Sequence, residues 1–121
     1  MNSLQSKIPK KNTVAVAIVE YLDGTGRSKR RPVYILSTNG LMYRFYRITT
    51  KYKDKSHSIK KVLFEIMDWN DANLNEPSWI DTSVALNAPV HQIHMREIGQ
   101  LSDVDAQRFH DFLAQQLDQR S

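Results

Sequence analysis

The sequence predicts a mainly β domain with a C-terminal helix (α+β), a small and strongly twisted antiparallel barrel or sheet on which that helix packs. Stretches of strand length, rich in β-branched and aromatic residues, recur along most of the chain between turn signals. Asn39-Gly40, set between Val33–Leu36 and Met42–Thr50, is the strongest short hairpin signal present. Helical periodicity enters late. After Ser102, Asp105 gives a capping-box-like start, and Val104, Phe109, Phe112, Leu113 and Leu117 form an apolar stripe.

Taken in order, residues 1–12 read as a flexible basic tail and residues 13–118 as one domain, in keeping with a chain of 121 residues. Thr13–Tyr21 is apolar on both faces, as a central strand requires. Asp23-Gly24-Thr25-Gly26 is a turn. A basic cluster, Arg27, Lys29, Arg30 and Arg31, then leads into Pro32, which cannot donate to a ladder and suits a strand start. Folding Val33–Leu36 back against Met42–Thr50 brings Arg31 beside Thr49, although eighteen residues separate them. Lys51–Ser58 has no apolar period and reads as an exposed loop. Ile59–Met67 reads as a strand, and Asp68 as the N-cap of one helical turn carrying Trp69 and Leu74 towards the core. Beyond Asn75–Ser78 come a strand over Trp79–Leu86, a turn at Asn87-Ala88-Pro89 and a strand over Val90–Ile98. Gly99-Gln100-Leu101 then leads to the helix.

Composition narrows the functional classes. With no cysteine there is neither a disulfide framework nor a cysteine metal site, and a reducing compartment fits. No apolar run approaches membrane-spanning length, and no apolar segment follows the first polar residues as a secretory signal would require. A cytoplasmic location without a membrane partner is expected. The net charge of +4 conceals a strong asymmetry: residues 27–61 hold eleven Lys/Arg against one Asp, whereas residues 62–121 hold three Arg against ten Asp/Glu. Segregation of this kind suits a polyanion on one face and a basic partner on another.

His91 and His94 would face opposite sides of a strand, a poor metal pair, so neither a metal nor another cofactor is expected. The chain has no glycine-rich phosphate cradle, GxSxG elbow or HExxH motif. Asp81 is the one carboxylate after residue 64 flanked by strand-like residues on both sides. Arg30 and Arg31 offer planar forks suited to phosphate oxygens, and Thr49 and Thr50 offer hydroxyls. Tyr43, Phe45 and Tyr46 could stack unpaired bases or pack in the core. Arg27, Lys29, Arg30, Arg44, Arg47, Lys51, Lys53, Lys55 and His57 are the candidate phosphate contacts. The residues alone thus point to a binder of single-stranded nucleic acid, and leave nuclease activity open.

Gly26, Arg31-Pro32-Val33-Tyr34-Ile35-Leu36-Ser37, Ile48-Thr49-Thr50 and Ile98-Gly99-Gln100-Leu101-Ser102 together resemble the MazF/PemK family of toxin endoribonucleases. Asp68-Trp69, Leu74 and Pro77-Ser78-Trp79 resemble a divergent PemK-like branch, so that the likeness spans roughly residues 14–117. The resemblance implies an SH3-like barrel of the MazF/PemK/CcdB type and a homodimer with a cognate antitoxin protein. It also implies metal-independent cleavage of single-stranded RNA by attack of a 2′-hydroxyl on the adjacent phosphate. It carries the catalytic arginine onto Arg31, the strand-end threonine onto Thr49 and the following hydroxyl onto Thr50, with Asp81 filling the place of a later aspartate. Trp79 stands where some members have an arginine, and the histidine that some carry in the first loop is missing. A protein-binding toxin resembling the CcdB group, or an RNA-binding barrel without chemistry, are the alternative readings.

Overall fold

The computed structural model describes residues 12–20 and 28–120. Six strands, β1 (Thr13–Glu20), β2 (Ser28–Thr38), β3 (Met42–Thr49), β4 (Leu63–Ile66), β5 (Ser78–Pro89) and β6 (His94–Gln100), form one sheet. Their order is β4-β5-β3-β2-β1-β6, and every pairing is antiparallel. A four-residue helix, α1 (His57–Lys60), precedes β4, and α2 (Asp103–Arg120) follows β6. The expected architecture, mainly antiparallel β with a C-terminal helix, is what forms. No helix among the described residues is long and apolar enough to cross a membrane.

The hairpin turn forms as its sequence predicts, but β2 starts at Ser28 and not at Pro32, which sits inside the strand opposite Val16, so that Lys29, Arg30 and Arg31 belong to the strand and not to a loop. Asn39 accepts hydrogen bonds from Leu41 N and Met42 N, each at 2.9 Å, while Gly40 takes φ +86°, a conformation that favours glycine. β2 and β3 then run back to back, with Tyr34 opposite Tyr46 and Val33 opposite Arg47.

β5 and β6 stand four inter-strand steps apart in the sheet order, about 19 Å if the sheet were flat. Only residues 90–93 join them, and Gln92 N donates to Pro89 O at 3.0 Å, making this link a tight turn. The sheet must therefore curl until its two sides meet. Ala15, Ala17, Val33, Ile35, Tyr43, Phe45 and Met95 form a core on one face, completed by Leu86, Ala88, Val90 and Ile93. The opposite face carries a second core, in which Phe109 of α2 packs among Tyr34, Tyr46, Phe64, Ile66 and Ile80. β1 serves both, with Val14 in one and Ala15 and Ala17 in the other, as its two-faced apolar sequence requires.

Several local expectations are corrected. His57–Lys60 is helical and the strand starts only at Leu63, because Ser56 Oγ accepts from Ile59 N at 3.4 Å and caps a turn. Asn87-Ala88-Pro89 continues β5 instead of turning, since it pairs with Arg44, Tyr43 and Met42 at the start of β3. The turn falls at residues 90–93, and β6 extends through Gly99 and Gln100. A Cβ on Gly99 would lie 2.5 Å from Ala72 O, so this strand position must stay bare. Residues 67–73 form successive turns that include one helical bond, Ala72 N to Asp68 O at 3.3 Å, but the Asp68 carboxylate accepts from Ser102 Oγ instead of capping it; Leu74 is buried and Trp69 packs against the core as expected. On α2, Val104 and Leu117 lie in solvent, and the inward face is Asp105, Phe109 and the partly buried Phe112 and Leu113. The turn expected at Asp23–Gly26, residues 1–11 of the expected tail and Arg27 lie outside the described residues, while Asn12, the tail's last residue, is tied to β2 by its N–H donating to Ile35 O at 2.9 Å.

Candidate nucleic-acid interface

Residues directly opposite one another in antiparallel strands share a face of the sheet. One such row reads Ala15, Val33, Arg47, Asp81 and Leu63 across β1, β2, β3, β5 and β4. In the next row Ala17 faces Arg31, Thr49 faces Trp79, and Trp79 faces Glu65. The β2–β3 ladder ends at Val33–Arg47, so Arg31 and Thr49, each two residues beyond it, lie on the same face and at the same end without being paired. Both rows lie on the face of the inner core, at the end of the curl remote from Gly40. There the apolar lining gives way to exposed Arg31 and Arg47, which water must reach.

The hydroxyl of Thr49 is oriented by the chain that follows it: Lys51 N donates to Thr49 Oγ1 at 3.1 Å. With one lone pair so engaged, the hydroxyl proton is left for an incoming acceptor. Asp81, half-buried, is oriented likewise. Its Oδ1 accepts from Ser83 N at 2.9 Å and Ser83 Oγ at 2.6 Å, and Oδ2 makes no hydrogen bond among the described residues. The guanidinium groups of Arg31 and Arg47 make no ion pair or hydrogen bond among the described residues, so both charges are available to a ligand.

The other candidates divide. Lys29, two residues before Arg31 on β2, shares its face, whereas Arg30 points to the opposite one. Thr50, Lys51, Lys53, Lys55 and His57 are exposed on the segment leaving β3. Arg44 is exposed but five residues from Thr49, about 17 Å along the strand, and belongs to the hairpin end. Tyr43, Phe45 and Tyr46 are all buried and cannot stack on a base. Burial raises the Tyr43 hydroxyl above its ordinary pKa. It pushes Tyr34 up to about 12, with neighbouring Tyr46 adding to the effect.

The available aromatic surface comes from residues that sequence reasoning did not connect. Tyr52 stacks on Trp79 with ring centroids 4.7 Å apart and planes 5° from parallel, and the Lys60 ammonium lies 4.9 Å from the centre of the Tyr52 ring. Thr50, Lys51, Tyr52, Lys53, Asp54, Glu76, Pro77 and Trp79 line a cavity of about 340 Å³ beside Thr49. The only local signal was an aromatic residue inside a lysine-rich loop. A separate cleft of about 400 Å³ lies between α2 and β2, lined by Tyr34, Leu36, Phe109 and His110 among others, without any of the site's arginines or lysines.

No family model matches the chain, and no curated protein matches it.

Proposed function

We propose that this chain is a MazF/PemK-like endoribonuclease, the toxin of a bacterial type II toxin–antitoxin pair, which cleaves single-stranded RNA sequence-specifically and without a metal. The observation that carries this reading is the convergence of Arg31, Arg47, Thr49 and Asp81 on one face and one end of the sheet. The strand order supports the fold assigned with it: β5-β3-β2-β1-β6 places the first strand between the second and the last, as in an SH3-like barrel, with β4 added outside β5.

In this reading the 2′-hydroxyl of one nucleotide attacks the adjacent phosphorus, the bond to the 5′-oxygen breaks, that oxygen takes a proton from water and leaves as a 5′-hydroxyl, and a 2′,3′-cyclic phosphate remains. Charge accumulates on the non-bridging oxygens, where the Arg31 guanidinium stabilises it and the Thr49 hydroxyl donates. Asp81 Oδ2 is an available acceptor for the proton of the attacking hydroxyl. Lys29, Arg47, Lys51, Lys53 and Lys55 hold the flanking phosphates, and Thr50 offers a further hydroxyl. The toxin works as a homodimer in the cytoplasm, and an acidic antitoxin is the partner that suits its basic face.

The test is a short RNA incubated with excess chelator beside the same oligonucleotide carrying a deoxy nucleotide at the cleaved position. The expected result is cutting of the first alone, with a cyclic phosphate end. A magnesium requirement, or cutting of the deoxy substrate, overturns the mechanism. Tight, salt-sensitive binding without cleavage of any RNA replaces it with an RNA-binding barrel lacking chemistry.

A further inference from the structure

We infer that the cavity walled by the Tyr52–Trp79 stack is a nucleobase subsite, which seats one unpaired base bearing an exocyclic amino group beside the phosphate bound at Thr49. The inference rests on the reading above and adds a base preference to it.

Position is the first argument. Trp79 is the direct cross-strand partner of Thr49, and Thr50 and Lys51 line the cavity themselves. A strand whose phosphate meets the Thr49 hydroxyl therefore brings a flanking base to this opening. The second argument is construction. Tyr52 is held from both sides, by the Trp79 ring and by the Lys60 ammonium, and its loop is closed by Lys55 N donating to Tyr52 O at 3.0 Å. Rings already ordered in the free protein spare a ligand the entropy of arranging them. A cavity of about 340 Å³ also lies at the small end of ligand sites, a size suited to a single base.

Its polar lining then discriminates. Lys51 and Lys53 suit backbone phosphates, while Asp54 and Glu76 present carboxylates that only accept. Adenine, cytosine and guanine each offer an exocyclic amino group to such acceptors. Uracil offers one ring N–H flanked by two carbonyl oxygens, which the carboxylates repel. The apolar walls stack any base, and the acidic lining disfavours uracil.

The experiment uses the full chain with Trp69→Phe, so that Trp79 alone reports, and heptamers of deoxyadenylate, deoxycytidylate and deoxyuridylate, which cannot be cleaved by 2′-hydroxyl attack. If Trp69→Phe does not fold, the wild type serves, with Trp79→Leu as its blank. Binding should quench Trp79 emission, and the adenine and cytosine heptamers should bind about ten-fold more tightly than the uracil one. Tyr52→Leu should weaken binding on the order of ten-fold, because the Trp79 ring on which the base stacks loses the partner that orders it. Glu76→Gln should narrow the gap between bases. Heptamers that bind without perturbing Trp79, or with equal affinity for all three bases, overturn the subsite; cleavage of RNA by the same protein would leave the nuclease reading standing. Base-selective quenching without RNA cleavage would uphold the subsite and overturn the nuclease. Failure to bind any heptamer or RNA overturns both.

Discussion

The carboxylate of Asp105, wholly buried, accepts a 2.7 Å hydrogen bond from the backbone N–H of Asp68, which lies 37 residues earlier in the chain. The two residues belong to a closed ring of bonds. Ser102 Oγ donates to Asp68 Oδ2 at 2.6 Å and accepts from Asp105 N at 3.1 Å. The serine thus caps α2 and ties its first turn to the turns after β4, while Asp105 also accepts from Met67 N and from Arg108. Asp105→Ala would strip two backbone donors and a guanidinium of their acceptor, at a cost of about 2–3 kcal/mol or more. We expect its urea midpoint to fall with the slope unchanged, and Asp105→Asn, which keeps one acceptor oxygen, to fall less. Equal midpoints would mean that the ring contributes nothing to holding α2 on the sheet.

Tyr34 sets an alkaline limit to stability. Its hydroxyl donates to Asn12 Oδ1 at 2.5 Å, and its ring packs edge-on against Phe109. Burial, with a smaller contribution from Tyr46, pushes its pKa up to about 12 from an ordinary 10.0. Between these values the unfolded chain releases a proton that the folded chain retains, so folding weakens as pH rises. The contribution is fully present below about pH 10 and disappears as the pH passes through about 12. Tyr34→Phe should be less stable at neutral pH by about 1 kcal/mol, through the lost hydrogen bond, yet decline less steeply above pH 10. Parallel curves for the two proteins would exclude Tyr34 as the group responsible.

Local signals made the hairpin and the start of α2 readable, because Asn39-Gly40 and Ser102 act on backbone within three residues of themselves. The features missed depend on distant partners. Asn87-Ala88-Pro89 has the composition of a turn, but stays extended where β3 offers a ladder. Val104 stands five residues before Phe109, about 140° round the helix, whereas Asp105, four before it, shares the inward face. There its carboxylate meets the N–H groups of Met67 and Asp68, a partnership the sequence does not show. For the proposed site, the nearness of Arg31 and Thr49 followed from hairpin register, whereas the choice of Asp81 and the roles of all three rest on the resemblance. Which aromatic rings remained open was not legible. Alternation along β3 sends Phe45 to one face and Tyr46 to the other, and both are closed because each face of the sheet carries its own core. Tyr52 and Trp79 meet only through the fold.

Arg31 and Lys53 should separate chemistry from attraction. Both are exposed basic residues, but Arg31 shares the face and the sheet end of Thr49, whereas Lys53 is on the rim of the neighbouring cavity. On the proposed nuclease reading Arg31 is aimed at the developing phosphorane and acts mainly in the transition state, so Arg31→Ala should lower kcat by roughly 10²–10³-fold and relieve the growth arrest expected of the chain expressed alone. Arg31→Lys keeps the charge without the planar fork and should recover only part of that loss. Lys53→Ala, by contrast, should raise KM, leave kcat near the wild-type value, and reduce the salt slope of binding by about one. Thermal unfolding of all three variants should match the wild type, because exposed side chains without partners contribute little to folding. Arg31→Ala protein that folds, cleaves RNA and arrests growth as the wild type does would remove Arg31 from the mechanism. A loss confined to KM would reduce it to one more phosphate contact, leaving Thr49 and Asp81 to account for any catalysis.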